Sequence, residues 1–181
     1  MTLKAGSLCG AMQSIAPKKI AVLIIDQPEP PKPVPDEQVP DLVRYQQQLL
    51  AFANSIGCRF WRIELSQHGI VGKSPTATRL KGLIPPSTPV ITKQRFNAFE
   101  GTTLKADLAT AGVTHVVVLG HMMNCCVKYT AIGGAYRKTD PFVHGATGNG
   151  FKVMTQRKVL SGVGDADWVN EQDVSFYTSL G

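Results

Sequence analysis

The chain is short of cysteine, of long apolar runs and of acid, and each shortage narrows what it can be. Only four cysteines occur, at positions 9, 58, 125 and 126. None shows the C-x-x-C spacing of a metal or redox motif, and the set does not look like a disulfide framework. Reduced thiols in a cytoplasmic protein are expected. No apolar run approaches the roughly 20 residues that cross a bilayer, so no membrane partner is expected. The first 19 residues hold Lys4, Lys18 and Lys19 and no acid, yet lack the continuous apolar stretch of a secretory signal. Residues 1–18 are expected as a flexible N-terminal arm that can dock on a partner subunit, and 19–181 as the folded domain.

Acids are outnumbered, 13 against 19 lysines and arginines, for a net charge of +6. Such a surplus can serve nucleic acid or an anionic substrate. Here the cations are scattered and no stripe of them is interleaved with aromatics. A solvated basic surface is the reading, with no nucleic-acid partner. No internal repeat and no second domain is visible. The 181 residues suffice for one domain with a substantial core, and 43% hydrophobic with 18% charged is ordinary globular composition.

What is present is an alternation. "KKIAVLIID" (18–26) carries six apolar residues in a row and then an acid. It reads as a strand buried on both faces. Prolines at 28, 30, 31, 33, 35 and 40 forbid regular structure in the next segment. From Asp41, the apolar residues Leu42, Tyr45, Leu49, Phe52 and Ile56 recur at helical steps until Gly57. "CRFWRIEL" is a second strand, 66–89 mostly loop, and "PVITK" a third strand ending at Lys93. "TTLKADLATAG" is a helix capped by Thr102 or Thr103 and stopped by Gly112. "THVVVLG" is a fourth strand. A helix is expected from Cys126 to about Lys138, weakened by Gly133 and Gly134. "TDPFVHGATGNG" reads as loop, "FKVMT" as a fifth strand and "DADWVNEQDVSFYTSL" as a closing helix. The fold class expected is α/β, a single-domain three-layer α/β/α sandwich on a mainly parallel sheet with Rossmann-like topology.

In such a sheet, ligands bind beyond the carboxyl ends of the strands. Asp26, Lys93 and Cys126 are all delivered to that edge. Singly, each has a plainer reading: a turn former, a solvated charge, a core thiol. Together they make nucleophilic catalysis an equal competitor. A thiolate at a helix start and beside an ammonium is stabilised. An acid next to it can take the thiol proton and return it to a leaving group. Backbone N–H groups of "GHMMNCC" can hold a developing oxyanion.

These residues resemble the isochorismatase-like cysteine hydrolases, the family of nicotinamidases and N-carbamoylsarcosine amidase, over about residues 19–170. "AVLIID" is similar to the family's first strand with its aspartate. Lys93, Ala98, Phe99, Gly101, Thr102 and Leu104 match its central block. In "GHMMNCCVKYTA", a glycine precedes Cys126 by six and Val127, Thr130 and Ala131 follow it, as at the family's nucleophile turn. The resemblance implies Asp26, Lys93 and Cys126 as a catalytic triad that cleaves an amide or carbamoyl C–N bond of a small molecule. It also implies an oxyanion turn with a cis peptide at His121–Met122, pocket roles for Arg95, Asn97 and Phe99, no cofactor, and assembly into a homo-oligomer. Arg95, Asn97 and Phe99 can equally be packing residues, and Cys125 passive.

Several features depart from the family. A proline-rich loop follows Gln27 where relatives continue their first strand, so substrate is not carried over. "ELSQHGIVGK" offers Glu64 and His68 without a second histidine, so no metal is expected. Gly133 stands where relatives often carry an acid. A family member that has lost turnover and serves as a binding or scaffold protein is the alternative.

Overall fold

The computed structural model describes residues 4–27, 39–66, 78–162, 168 and 174–181. Strand β1 (Lys4–Ser7) leads into helix α1 (Leu8–Gln13), and a 3-10 turn at Pro17–Lys19 sets up β2 (Ile20–Ile25). Then come α2 (Val39–Ser55), β3 (Arg59–Leu65), α3 (Thr78–Lys81), β4 (Val90–Lys93), α4 (Leu104–Thr110) and β5 (His115–His121). A π-helical turn at Met123–Val127 runs straight into α5 (Lys128–Ile132). The rest is β6 (Gly133–Gly134), β7 (Val143–His144), β8 (Lys152–Gln156), β9 (Leu160–Ser161) and β10 (Val174–Ser179).

Among the described residues, eight strands make one sheet in the order β1-β10-β8-β5-β2-β3-β4, with β9 pairing the end of β5. All of its pairings are parallel. β6 and β7 form a separate antiparallel ribbon. This is the single α/β domain that the alternation called for. β2 lies inside the sheet between β5 and β3 with all six residues buried, which is why its sequence is unbroken Ile, Ala, Val and Leu rather than alternating. α2 buries Leu42, Gln46, Leu49, Leu50 and Ala53, at the spacing of one helical face. The chain leaves that helix at Gly57, whose φ of 81° suits a residue without a side chain.

The strand order carries the consequence for function. From β2 the chain steps to β3 and β4, then jumps back across β2 to β5 and continues to β8 and β10. Right-handed crossovers in opposite directions send their helices to opposite faces. The loops leaving β2 and β5 therefore part, and the carboxyl ends of those two strands are where a sheet of this topology places its ligand.

Three expectations are corrected. The closing helix is absent where described: residues 174–179 are the strand β10, inserted between β8 and β1. "VSFYTS" is β-branched and aromatic, and buries Phe176 with Leu180 beyond it. The helix expected to reach Lys138 stops at Ile132, because Gly133 takes a φ of 88° and turns the chain into β6. Within the stretch read as a loose arm, Lys4–Ser7 pairs with β10 and α1 buries Leu8 and Met12 completely. Ser7 caps α1 by accepting from the Gly10 N–H at 3.0 Å. The proline-rich loop 28–38 and His68 lie outside the described residues.

Candidate active site

Asp26 follows the last residue of β2 in a left-handed conformation, φ 43°. Aspartate tolerates that region better than most residues, and such backbone concentrates at functional sites. Its amide donates to the Ile63 carbonyl at 2.9 Å, which pins the turn to β3. Lys93 ends β4. Its ammonium reaches Asp26 Oδ2 at 2.7 Å and donates to the Arg95 carbonyl at 3.2 Å. The Lys93 side chain is fully buried and that of Asp26 is 3% exposed. Two charges taken this far from water persist only as a pair.

β5 brings the third residue. Gly120 lies opposite Ile25 in the β2–β5 register. A β-carbon on Gly120 would stand 2.2 Å from the Ile25 carbonyl oxygen, so only glycine allows this approach. His121 and Met122 follow, Met122 with φ 58°. The Met122 carbonyl then accepts from the Cys125 N–H at 2.8 Å and the Val127 N–H at 3.3 Å, the second of these closing a π-type turn. Such bulges recur at functional sites because they re-aim one side chain. Here the residue re-aimed is Cys126, which is 4% exposed.

Cys126 interacts with Cys125 and lies within the electrostatic reach of Asp26 and Lys93. Its thiol is held well above the ordinary range, first by the interaction with Cys125, then by burial and by the Asp26 carboxylate, with Lys93 pulling the other way. At rest, then, it is a protonated sulfur within the field of a carboxylate. Half-buried Cys125 is shifted down, chiefly by its interaction with Cys126.

His121 is held from a second strand. Its Nδ1 lies 3.0 Å from Ser161 Oγ on β9, and the Ser161 hydroxyl donates to the Gly120 carbonyl at 3.2 Å. That network assigns the imidazole proton to Nδ1. Burial lowers the His121 pKa against the pull of Asp26, which keeps the ring neutral at neutral pH. On the other side of the turn, buried Trp168 donates its indole N–H to the Met123 carbonyl at 3.2 Å.

The model of the isochorismatase domain matches residues 34–149, well over half the chain. The chain belongs to the isochorismatase family. The matched stretch contains Lys93 and Cys126, and Asp26 lies just before it. Solved structures of this hydrolase fold superpose over most of the chain. N-carbamoylsarcosine amidase from Thermoplasma acidophilum is 15% identical, covering 88% of this chain and 95% of its own, with a TM-score of 0.66. A nicotinamidase from Staphylococcus aureus is 16% identical over 90% of this chain and 99% of its own, at 0.64. A ribonuclease from Caenorhabditis elegans is 17% identical over 91% and 79%, at 0.66. At such identities the likeness is one of fold. No curated protein sequence matches the chain.

For this isochorismatase-family chain the remaining candidates separate. Asn97 is fully buried and its side chain is spent on protein: it donates to the carbonyls of Val143 and His144, at 3.4 and 3.0 Å, and accepts from the Phe99 N–H at 2.9 Å. Phe99 packs on Phe151 with ring centroids 6.0 Å apart. Asn97 ties the block after Lys93 to the β6–β7 ribbon, and Phe99 packs it against Phe151. Arg95 is instead two-thirds exposed, with Glu100 a loose 4.0 Å away. Glu64 lies 3.9 Å from Arg62. Among the described residues no cluster of three metal-ligating side chains occurs. Ser161 and Trp168 had no sequence signal, since only the strand order brings them to the turn. Thr130 had one: it stands in the motif after Cys126, and its hydroxyl accepts from the Ala98 N–H at 3.1 Å.

Proposed function

We propose that this chain is a cysteine hydrolase that cleaves an amide or carbamoyl C–N bond of a small molecule. The observation that carries it is the buried Lys93 ammonium, 2.7 Å from Asp26, with the Asp26 carboxylate acting electrostatically on the Cys126 thiol.

In this reading Asp26 takes the Cys126 proton as the sulfur attacks the substrate carbonyl. Lys93 keeps the aspartate charged until then and steadies the developing thiolate. N–H groups around Met122 and Cys126 hold the oxyanion, each such donor being worth about 3–4 kcal/mol. Asp26 returns its proton to the departing nitrogen, and ammonia or an amine leaves a thioester on Cys126. Asp26 then deprotonates water, which cleaves the thioester, releases the acid and restores the thiol. The reaction needs no redox partner. Assembly into a dimer or larger, and a reducing cytoplasmic setting that preserves the thiols, belong to the same proposal.

The test is intact mass measurement during turnover of a panel of small amides, with ammonia detection. An acyl adduct on Cys126, and its loss together with ammonia release in Cys126→Ala, are expected. Full activity in Cys126→Ala without an adduct would discard the mechanism. The tight burial of the sulfur favours one other reading, a binding or scaffold protein without turnover. A panel that yields neither ammonia nor adduct would select it.

A further inference from the structure

A concavity opens immediately after Lys93. It has a volume of about 480 Å³ and is lined by Gln94, Arg95, Phe96, Tyr136, Arg137 and Asp140. Phe96 and Tyr136 meet edge to face, with centroids 5.3 Å apart and planes at 81°, so they form a corner. That corner is fixed. The Tyr136 hydroxyl accepts from the Asn97 N–H at 3.1 Å and donates to Glu100, and Tyr129 stacks on the Phe96 ring from α5. Burial and the Glu100 bond push the Tyr136 pKa up, so the phenol stays a neutral donor.

Two guanidiniums share this lining against one carboxylate, Asp140. Arg95 is 66% exposed and only loosely paired to Glu100, and Arg137 makes no ion pair among the described residues. A rigid aromatic corner beside two under-used planar cations suits a flat ring that carries a carboxylate, gripped by charge-assisted hydrogen bonds and stacked on one wall. The hollow also shares backbone with the reactive cluster. The Lys93 ammonium donates to the Arg95 carbonyl, and Tyr129 stands three residues beyond Cys126 in the same helical run.

We infer that the hollow bounded by Arg95, Phe96, Tyr136 and Arg137 is a binding site for a planar, ring-bearing carboxylate. Its use as the holder of the substrate's far end rests on the amide-hydrolase reading; the binding itself does not.

Benzoate and its neutral counterpart benzamide are the probes, titrated calorimetrically into the full chain. Saturable benzoate binding is expected, at least about tenfold tighter than benzamide, weakened by salt, and lost by at least about tenfold in Arg95→Gln and Arg137→Gln. Equal binding of the two probes, no saturation, or affinity indifferent to both substitutions would overturn the site. The source of the carboxylate is read from turnover. If it is part of the substrate, 4-carbamoylbenzoate outruns benzamide and loses that advantage in Arg137→Gln. If it is a separate ligand, benzoate changes benzamide hydrolysis without competing with it. Benzoate binding without any amide turnover would sink the hydrolase reading and leave the site standing. Turnover without benzoate binding would do the reverse.

Discussion

Lys93 Nζ sits 2.7 Å from Asp26 Oδ2, and both side chains are closed off from water. The pair is a structural commitment as well as a chemical one. Lys93→Met strands a buried carboxylate and should cost about 3–5 kcal/mol. Lys93→Met with Asp26→Asn removes both charges and should recover much of that loss. Urea midpoints of the single and double variants measure it. A single variant as stable as the parent would mean that the pair is solvated.

Gly120→Ala tests the closeness of β2 and β5. The added carbon meets the Ile25 carbonyl oxygen at 2.2 Å, and the backbone φ there is 150°. A loss of about 1–3 kcal/mol is expected. Since Gly120 opens the turn that ends at Cys126, hydrolysis should fall further than the folded fraction does. Unchanged thermal unfolding would contradict the register.

Asn97→Ala separates packing from substrate contact. It removes the amide that ties Val143 and His144 to the block after Lys93. Losing those part-buried hydrogen bonds should cost about 0.5–1.5 kcal/mol. If Asn97 is purely structural, KM for a small amide stays within about twofold in the folded protein, a shift of under about 0.5 kcal/mol. A rise in KM with unchanged stability would return Asn97 to the pocket.

Cys58 sets an alkaline limit. Burial pushes its thiol from 9.0 up to about 11, while Lys18 pulls it slightly back. Below pH 9 both folded and unfolded forms keep the proton. Between pH 9 and about 11 the unfolded chain releases it first, so stability falls as pH rises through that window. Cys58→Ala should flatten the decline without abolishing it, because Tyr136 and Cys126 are raised too. Urea midpoints taken along the pH series give both slopes, and identical slopes would clear Cys58.

The legible parts of this chain were those decided locally. Ile20–Ile25 is apolar on both faces and could only be an inner strand, and the helical face of α2 and the stop at Gly57 read directly. Lys93 and Asp26 were placed at one edge by alternation alone. Cys126 came from the turn motif, and the structure adds the influence of the Asp26 carboxylate on its thiol. What escaped was decided by partners distant in sequence. Residues 174–179 are extended because β8 and β1 flank them, and Lys4–Ser7 is a strand because β10 accepts it. Asn97 looked like a pocket residue because its neighbours do; only the carbonyls of a ribbon more than 45 residues away reveal its task.

The indole of Trp168, donating to the Met123 carbonyl, gives the turn that carries Cys126 a built-in optical gauge. The other tryptophan, Trp61, lies on β3 away from that turn. Any ligand or acylation that shifts the turn should alter the ultraviolet emission of Trp168, so occupancy at the sulfur can be followed in real time without a dye or a coupled assay.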